Sequence, residues 1–215
     1  MLRLLSLGID CISSIIFVIP ALIILRYFIF RQRNFNQFIV ILIFALYLIA
    51  VFTVVGIPTV GTFRVDLGFN LIPLIDIVNS PLAYTKNTIL NIILFVPLGF
   101  LVPVIWKNYR SLKTMFFMGF ALSVSIELLQ IFTFRLTDID DLITNTAGAV
   151  IGYYIAKRCS FKLPLQFSNH KEDLMRYEPV IILVVMILFA AFLKPIVSNG
   201  MWDIVLSSSW WEKIK

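Results

Sequence analysis

The sequence predicts an all-α protein: a polytopic transmembrane helix bundle of about six helices, with a long outer loop between helices 2 and 3. Three observations carry that prediction. First, 60% of the 215 residues are hydrophobic and only 14% are charged, whereas an ordinary soluble domain carries about 25% charged residues. Second, the apolar residues gather in runs, and mean hydropathy reaches +0.96. A run of about 20 residues, rising roughly 1.5 Å each, crosses a hydrocarbon core of about 30 Å. Third, the basic residues fall mostly in the short segments between runs, where they act as topology determinants.

Six segments stand out in order: 5–25, 38–57, 88–106, 114–133, 139–157 and 179–197. The first follows Arg3, continues past Pro20 to Leu25 and meets Arg26, Arg31 and Arg33 with no small-residue cleavage site. It reads as a retained helix rather than a cleaved signal peptide. The stretch 58–87 after the second segment holds Pro58, Gly61, Gly68, Pro73 and Pro81 around the apolar LIPLIDIV. Structureless loops of that length are uncommon, so a short helix lying at the interface or dipping back is expected there. Pro97, Gly99 and Pro103 interrupt the third segment. Such residues persist in membranes where neighbouring helices satisfy the freed backbone groups. The fifth, centred on LITNTAGAVIGYYIA, is the least apolar and spans only if its polar start is included. Trp202, Trp210 and Trp211 near the C-terminus read as interfacial anchors.

The loops after segments 1, 3 and 5 hold eleven Lys and Arg, and the other side holds seven. The positive-inside rule then places both termini outside. The chain divides into an N-terminal helix with its basic loop (1–37), a core (38–157), and a basic loop, last helix and tail (158–215). Net charge is +6 and the pI about 9.4, but basic residues confined to short loops exclude a nucleic-acid partner. Cys11 and Cys159 fall near opposite faces, which excludes a disulfide between them. No zinc-type spacing exists. His170 sits in a charged, solvated loop with Lys171, Glu172 and Asp173. No cofactor and no metal is assigned. Asp10, in the first helix, is expected to snorkel to the outer surface.

Ionisable groups inside a membrane are costly, so each one is by default a functional hypothesis. Ser123, Glu127 and Gln130 are spaced i, i+4, i+7 and share a face of the fourth helix. Arg135, Asp138, Asp140 and Asp141 lead into the fifth, with Thr137 or Asp138 as its N-cap. Asp138, Asp141, Asn145, Gly148 and Gly152 then form one stripe, and Gly148 with Gly152 lets another helix approach closely. Asn91 lies near the outer end of the third helix. An orientation drawn from Lys and Arg alone thus gathers Asn91, Glu127, Gln130, Arg135, Asp138, Asp141 and Asn145 in the outer membrane half. Arg64, Asp66 and Asn70 lie on the same side. The cluster reads either as a ligand or catalytic site, or as structure. In the structural case Arg135 neutralises Glu127 or Asp138, and Asn91, Gln130 and Asn145 are interhelical glue.

On these residues the sequence resembles the VanZ-like family. The matching pieces are NLIPL (Asn70–Leu74), Asn91-x3-Phe95-x-Pro97-x-Gly99-x3-Pro103, Ser123-x3-Glu127-x2-Gln130, and the run of Arg135, Asp138, Asp140, Asp141, Asn145, Gly148 and Gly152. In order, on consecutive helices, they cover about residues 38–157. The resemblance implies a multi-pass protein of the bacterial cytoplasmic membrane, in a family named for a member associated with resistance to the glycopeptide teicoplanin. It implies no residue-by-residue chemistry.

Three functions remain. The first is a non-enzymatic protein at the outer face, in contact with membrane lipids, that binds a cell-envelope lipid, a lipid-linked precursor or a glycopeptide and alters susceptibility. The second is an enzyme on a lipid-linked substrate. There Glu127 with Asp138 or Asp141 would serve as general acid and base, or carboxylates with Asn145 would hold Mg²⁺ or Ca²⁺. The chain has no nucleophile motif, Gly-rich phosphate loop or His ligand set to support it. The third is a small transporter built on the broken third helix.

Overall fold

The computed structural model describes residues 2–29, 35–59, 69–70, 72–74, 77, 80–133, 137–159 and 177–207. Among them the protein is all-α, apart from two dipeptide strands. The elements are α1 (Leu2–Ile24) with a π-helical end (Leu25–Ile29), α2 (Phe35–Val55), β1 (Phe69–Asn70), α3 (Pro81–Ile105), α4 (Leu112–Gln130), β2 (Thr137–Asp138) and α5 (Ile139–Cys159). The chain ends in a 30-residue rod of α6 (Glu178–Leu188), a π-helical stretch (Phe189–Leu193) and α7 (Lys194–Ser207). Among the described residues five helices are long and apolar enough to cross a membrane: Leu5–Ile29, Phe35–Val55, Pro81–Ile105, Leu112–Gln130 and Glu178–Ser207. The fifth predicted span, α5, is long enough at 21 residues but falls outside that apolar set. Asp140 and Asp141 occupy its first turn, and Lys157 and Arg158 its last.

Residues 1–63 and 180–215 form one compact unit, and residues 64–179 a second. In the first, Phe17 stacks on Phe189 with centroids 6.1 Å apart. One sequence expectation fails here, at Arg26. Asp10, whose side chain is 31% exposed, has its Oδ1 3.8 Å from Lys194 Nζ and accepts from Ser198 Oγ at 3.3 Å. A partner on a neighbouring helix offsets the cost of a carboxylate that would otherwise have to reach water. Arg26, placed in a basic loop by sequence, is helical and 2% exposed, and its Nη2 donates to Gln37 Oε1 at 3.0 Å. The π-helical stretch before α7 has a local cause. Pro195 has no N–H to continue the α-ladder, and Lys194 N reaches back five residues to Phe189 O.

The second unit is organised by small residues. α3 and α5 run parallel with their backbones touching. A Cβ on Gly148 would strike Ile92 O, one on Gly152 would strike Val96 O, and one on Gly99 would strike Ala149 O. α4 runs antiparallel against α5. A Cβ on Gly119 would come within 2.6 Å of Ala149 Cβ, and one turn further on Asn145 Nδ2 donates to Ser123 Oγ at 3.0 Å. Without a hydrophobic driving force between helices in lipid, close van der Waals packing of this kind holds them together. Pro97 and Pro103 lie inside α3 without ending it. That helix begins seven residues before the predicted Thr88 because Pro81 supplies the fixed φ suited to a first helical position. At the opposite end, Trp106 Nε1 donates to the buried Glu178 Oε2 at 2.8 Å. The expected interfacial helix within 58–87 falls mostly outside the described residues, as do His170, Trp210 and Trp211.

Candidate functional site

The site is assembled where α4 hands over to α5. β1 pairs in parallel with β2, with Phe69 opposite Thr137 and Asn70 opposite Asp138. This short ladder carries part of the long loop between α2 and α3 to the head of α5. Asp138 is the hub. Its Oδ1 accepts from Asp140 N at 2.9 Å, which makes it the N-cap of α5, and its Oδ2 accepts a long 3.4 Å bond from Asn70 Nδ2. Its own N–H donates to Glu127 Oε2 at 3.0 Å. The sequence left Thr137 and Asp138 open as the cap, and the bonding assigns Asp138. Replacing Asp138 by Ala is expected to lower stability by about 1 kcal/mol, the usual cost of a lost cap. Asp138→Ser, which keeps a capping oxygen, is expected to recover most of it when the melting temperatures in detergent are compared.

Asp140 Oδ2 accepts from Leu74 N at 2.9 Å. Leu74 holds φ at 66°, a left-handed conformation that costs a non-glycine residue roughly 1–2 kcal/mol. The bond to Asp140 is one local interaction that offsets it. Asp141 Oδ1 accepts from Asn91 Nδ2 at 2.6 Å, joining α5 to α3. Deeper along α5, Asn145 is 4% exposed and Ser123 is fully buried. Asn145 Oδ1 has no hydrogen-bond partner among the described residues. Glu127 and Gln130 are likewise buried, at 5% and 6% exposure.

Between the starts of α3 and α5 lies a polar cavity of about 220 Å³, lined by Ser80, Ala83, Tyr84, Asn87, Thr88, Asp138, Asp140 and Asp141. Two helix N-termini face the same end of the unit as its three carboxylates. Negative charge there suits the helix dipoles, each such interaction typically contributing about 0.3–1 kcal/mol. The carboxylates are thus held in place by backbone N–H groups and two asparagines, Asn70 and Asn91, and the cavity presents them with three hydroxyls and an amide. Hydroxyl and ammonium donors fit such a lining, and a bare phosphate does not. Among the described residues, no group of three or more His, Cys, Asp or Glu is placed to hold a metal ion.

The residues predicted for the site are therefore partly gathered. Asp138 and Asp141 reach the cavity, and Asn91 and Glu127 hold them from α3 and α4. Asn145 pairs with Ser123 one turn further along α5, and Gln130 is buried at the end of α4. Gly148 and Gly152 lie where α5 meets α3, a partner the stripe did not name. Arg135 lies outside the described residues. Sequence reasoning missed Leu74, whose contribution is a backbone N–H and so invisible in side-chain chemistry. It also missed Ser80, Tyr84, Asn87 and Thr88. The Ser80–Pro81 start and the i, i+3, i+4 spacing of Tyr84, Asn87 and Thr88 were the available signal.

Comparison with known proteins identifies the family. Residues 38–162 match the family model described as VanZ/LLP1. The chain is 30% identical over 121 residues to Protein VanZ of Enterococcus faecium, covering 54% of this chain and 71% of that protein. No solved structure matches it. With more than half of its length inside the family model, and with helices suited to several membrane crossings, the chain is a multi-pass membrane protein that belongs to the VanZ/LLP1 family.

Proposed function

We propose that this protein acts at the outer face of the bacterial cytoplasmic membrane, where the polar cavity at the heads of α3 and α5 binds the headgroup of a cell-envelope amphiphile and so affects glycopeptide susceptibility. One observation carries the reading. Three carboxylates line a small polar cavity at the heads of α5 and of α3, a helix apolar enough to cross a membrane. Buried or half-buried carboxylates in such a setting are expensive unless they are used. Their chemistry favours a ligand rich in hydroxyl or ammonium donors, such as a lipid-linked sugar, a peptide-bearing precursor or a glycopeptide. The relative from Enterococcus faecium bears the VanZ name, which supports looking among glycopeptide-related ligands. The orientation expected from the basic loops puts this end outside.

The catalytic alternative has less support. It asks Glu127 to exchange protons with a substrate, whereas Glu127 Oε2 is engaged by the backbone N–H of Asp138.

The test is saturable binding of lipid-sugar probes and of teicoplanin to purified full-length protein, with products monitored in parallel. Binding that is lost in Glu127→Gln and Asp141→Asn, with no product formed, supports the proposal. Normal binding in both variants removes it, and turnover transfers the site to the enzymatic reading.

A further inference from the structure

A second cavity lies on the other side of α5. It is a groove of about 760 Å³ between α4 and α5, lined by Leu112, Lys113, Phe116 and Phe120 on one side and by Ile139, Leu142, Ile143, Thr146, Ala147 and Val150 on the other. Its volume is within the range of roughly 300–1,000 Å³ typical of small-molecule sites. Phe116 and Phe120 stack along its wall with centroids 6.3 Å apart and planes 9° from parallel. Phe116, Ile143 and Leu112 are well exposed, so the groove opens outward rather than into the unit.

Its polar content is sparse. Thr146 is the one hydroxyl among the lining residues, and Oγ1 donates to Leu142 O at 2.8 Å within its own helix. Lys113 is the one charge. It is exposed, in the first turn of α4, and has no acidic partner among the described residues. The helices are antiparallel, with Gly119 against Ala149 and Ser123 bonded to Asn145. Lys113 and Ile139 therefore mark opposite ends. Ile139 sits between Asp138 and Asp140, so the far end is acidic where the near end is basic. An occupant of this groove must be apolar along its length, and an anionic head is attracted to one end and repelled from the other.

We propose that the groove between α4 and α5 is a binding site for a membrane lipid with an anionic headgroup, its phosphate at Lys113 and its hydrocarbon chain against Phe116, Phe120, Ala147 and Val150. The charge asymmetry selects this occupant over a zwitterionic lipid. A single lysine near a membrane surface contributes on the order of 1 kcal/mol toward anionic lipid, or about fivefold in affinity. No residue that lines the polar cavity lines this groove, so binding here is tested separately from binding at the proposed outer site.

The experiment uses the full chain, purified in detergent, stripped of lipid and melted against increasing phosphatidylglycerol or phosphatidylcholine of identical acyl chains. The wild type is expected to be stabilised by phosphatidylglycerol at about fivefold lower concentration. Lys113→Gln is expected to erase that preference while leaving the response to phosphatidylcholine unchanged. Ala147→Phe, which fills the groove, is expected to weaken the response to both lipids. Equal half-saturation by the two lipids in the wild type, or a preference that survives in Lys113→Gln, overturns the proposal. So does a lipid-insensitive dimer that Ala147→Phe converts to monomer, because a second copy of the chain then covers the groove.

Discussion

Gly152→Val is expected to prevent the protein from accumulating as a folded species, while Gly200→Ala leaves it intact. At Gly152 a Cβ would meet Val96 O first, then Phe100 N at 2.9 Å and Gly99 C at 3.0 Å. All three are backbone atoms of α3, so no side-chain rotation relieves the clash and the two helices must separate. Separation would also pull Gly99 away from Ala149, and Gly148 away from Ile92 and Phe95, because all three glycines lie in one interface. Overpacking a well-packed interior typically costs about 1–3 kcal/mol. A backbone-to-backbone clash that unseats a whole interface belongs at or above the top of that range. Gly200, in α7, has nothing within 4 Å of its Cβ position. Alanine there removes a helix-interior glycine, a change worth up to about 1 kcal/mol in favour of the helix. The measurement is the yield and melting temperature of each variant as a fluorescent fusion in detergent. A Gly152→Val protein with wild-type yield and melting temperature would mean that α3 and α5 do not meet as described.

How much of this was legible in the sequence follows the same physics. The α3–α5 interface was half visible. Gly148 and Gly152 announce a helix that lets another approach, since a four-residue spacing of glycines on an apolar helix has few other uses. Their partner was not visible, because Gly99 looked like one of three helix-weakening residues rather than the opposing half of a contact. Apolar runs located the helices because burial in lipid demands them. They said less about α5, where charges at both ends dilute the signal without shortening the helix. Arg26 was misread because a basic residue beside other arginines looks like loop, and nothing local announces Gln37 as its partner. The pair of Asp10 and Lys194 joins residues far apart in sequence, and a single sequence cannot connect them. α2 lies inside the family-matched range yet belongs to the compact unit of α1 and α7. Sequence similarity and packing thus divide the chain at different places.

The charge of the polar cluster, as distinct from its hydrogen bonds, is separated from its structural role by two amide substitutions. Asp141→Asn keeps an oxygen at Oδ1 to accept from Asn91 Nδ2, and Glu127→Gln keeps one to accept from Asp138 N. Each exchanges a charge-assisted bond for a neutral one, a loss of about 1 kcal/mol that leaves the helices joined. Both proteins are therefore expected to reach the membrane in amounts close to wild type. If the cavity carboxylates bind a donor-rich headgroup, removing the Asp141 charge removes the ligand's counterpart where the low dielectric makes it strongest, and removing the Glu127 charge, outside the lining, weakens the negative field beside Asp138. A strain lacking the gene is then expected to keep its altered teicoplanin susceptibility when complemented with either variant, and to recover only with the wild type. Arg135→Ala belongs in the same panel, with expression of every variant measured. Full complementation by Glu127→Gln and Asp141→Asn at normal expression would assign Glu127, Asn91 and Asp141 to holding α3, α4 and α5 together, and the outer cavity would lose its claim to a ligand. In both variants Asp138 N and Asn91 Nδ2 keep their acceptors, so failure of both at normal expression and unchanged melting temperature points away from lost packing. It would locate the function in the negative charge itself.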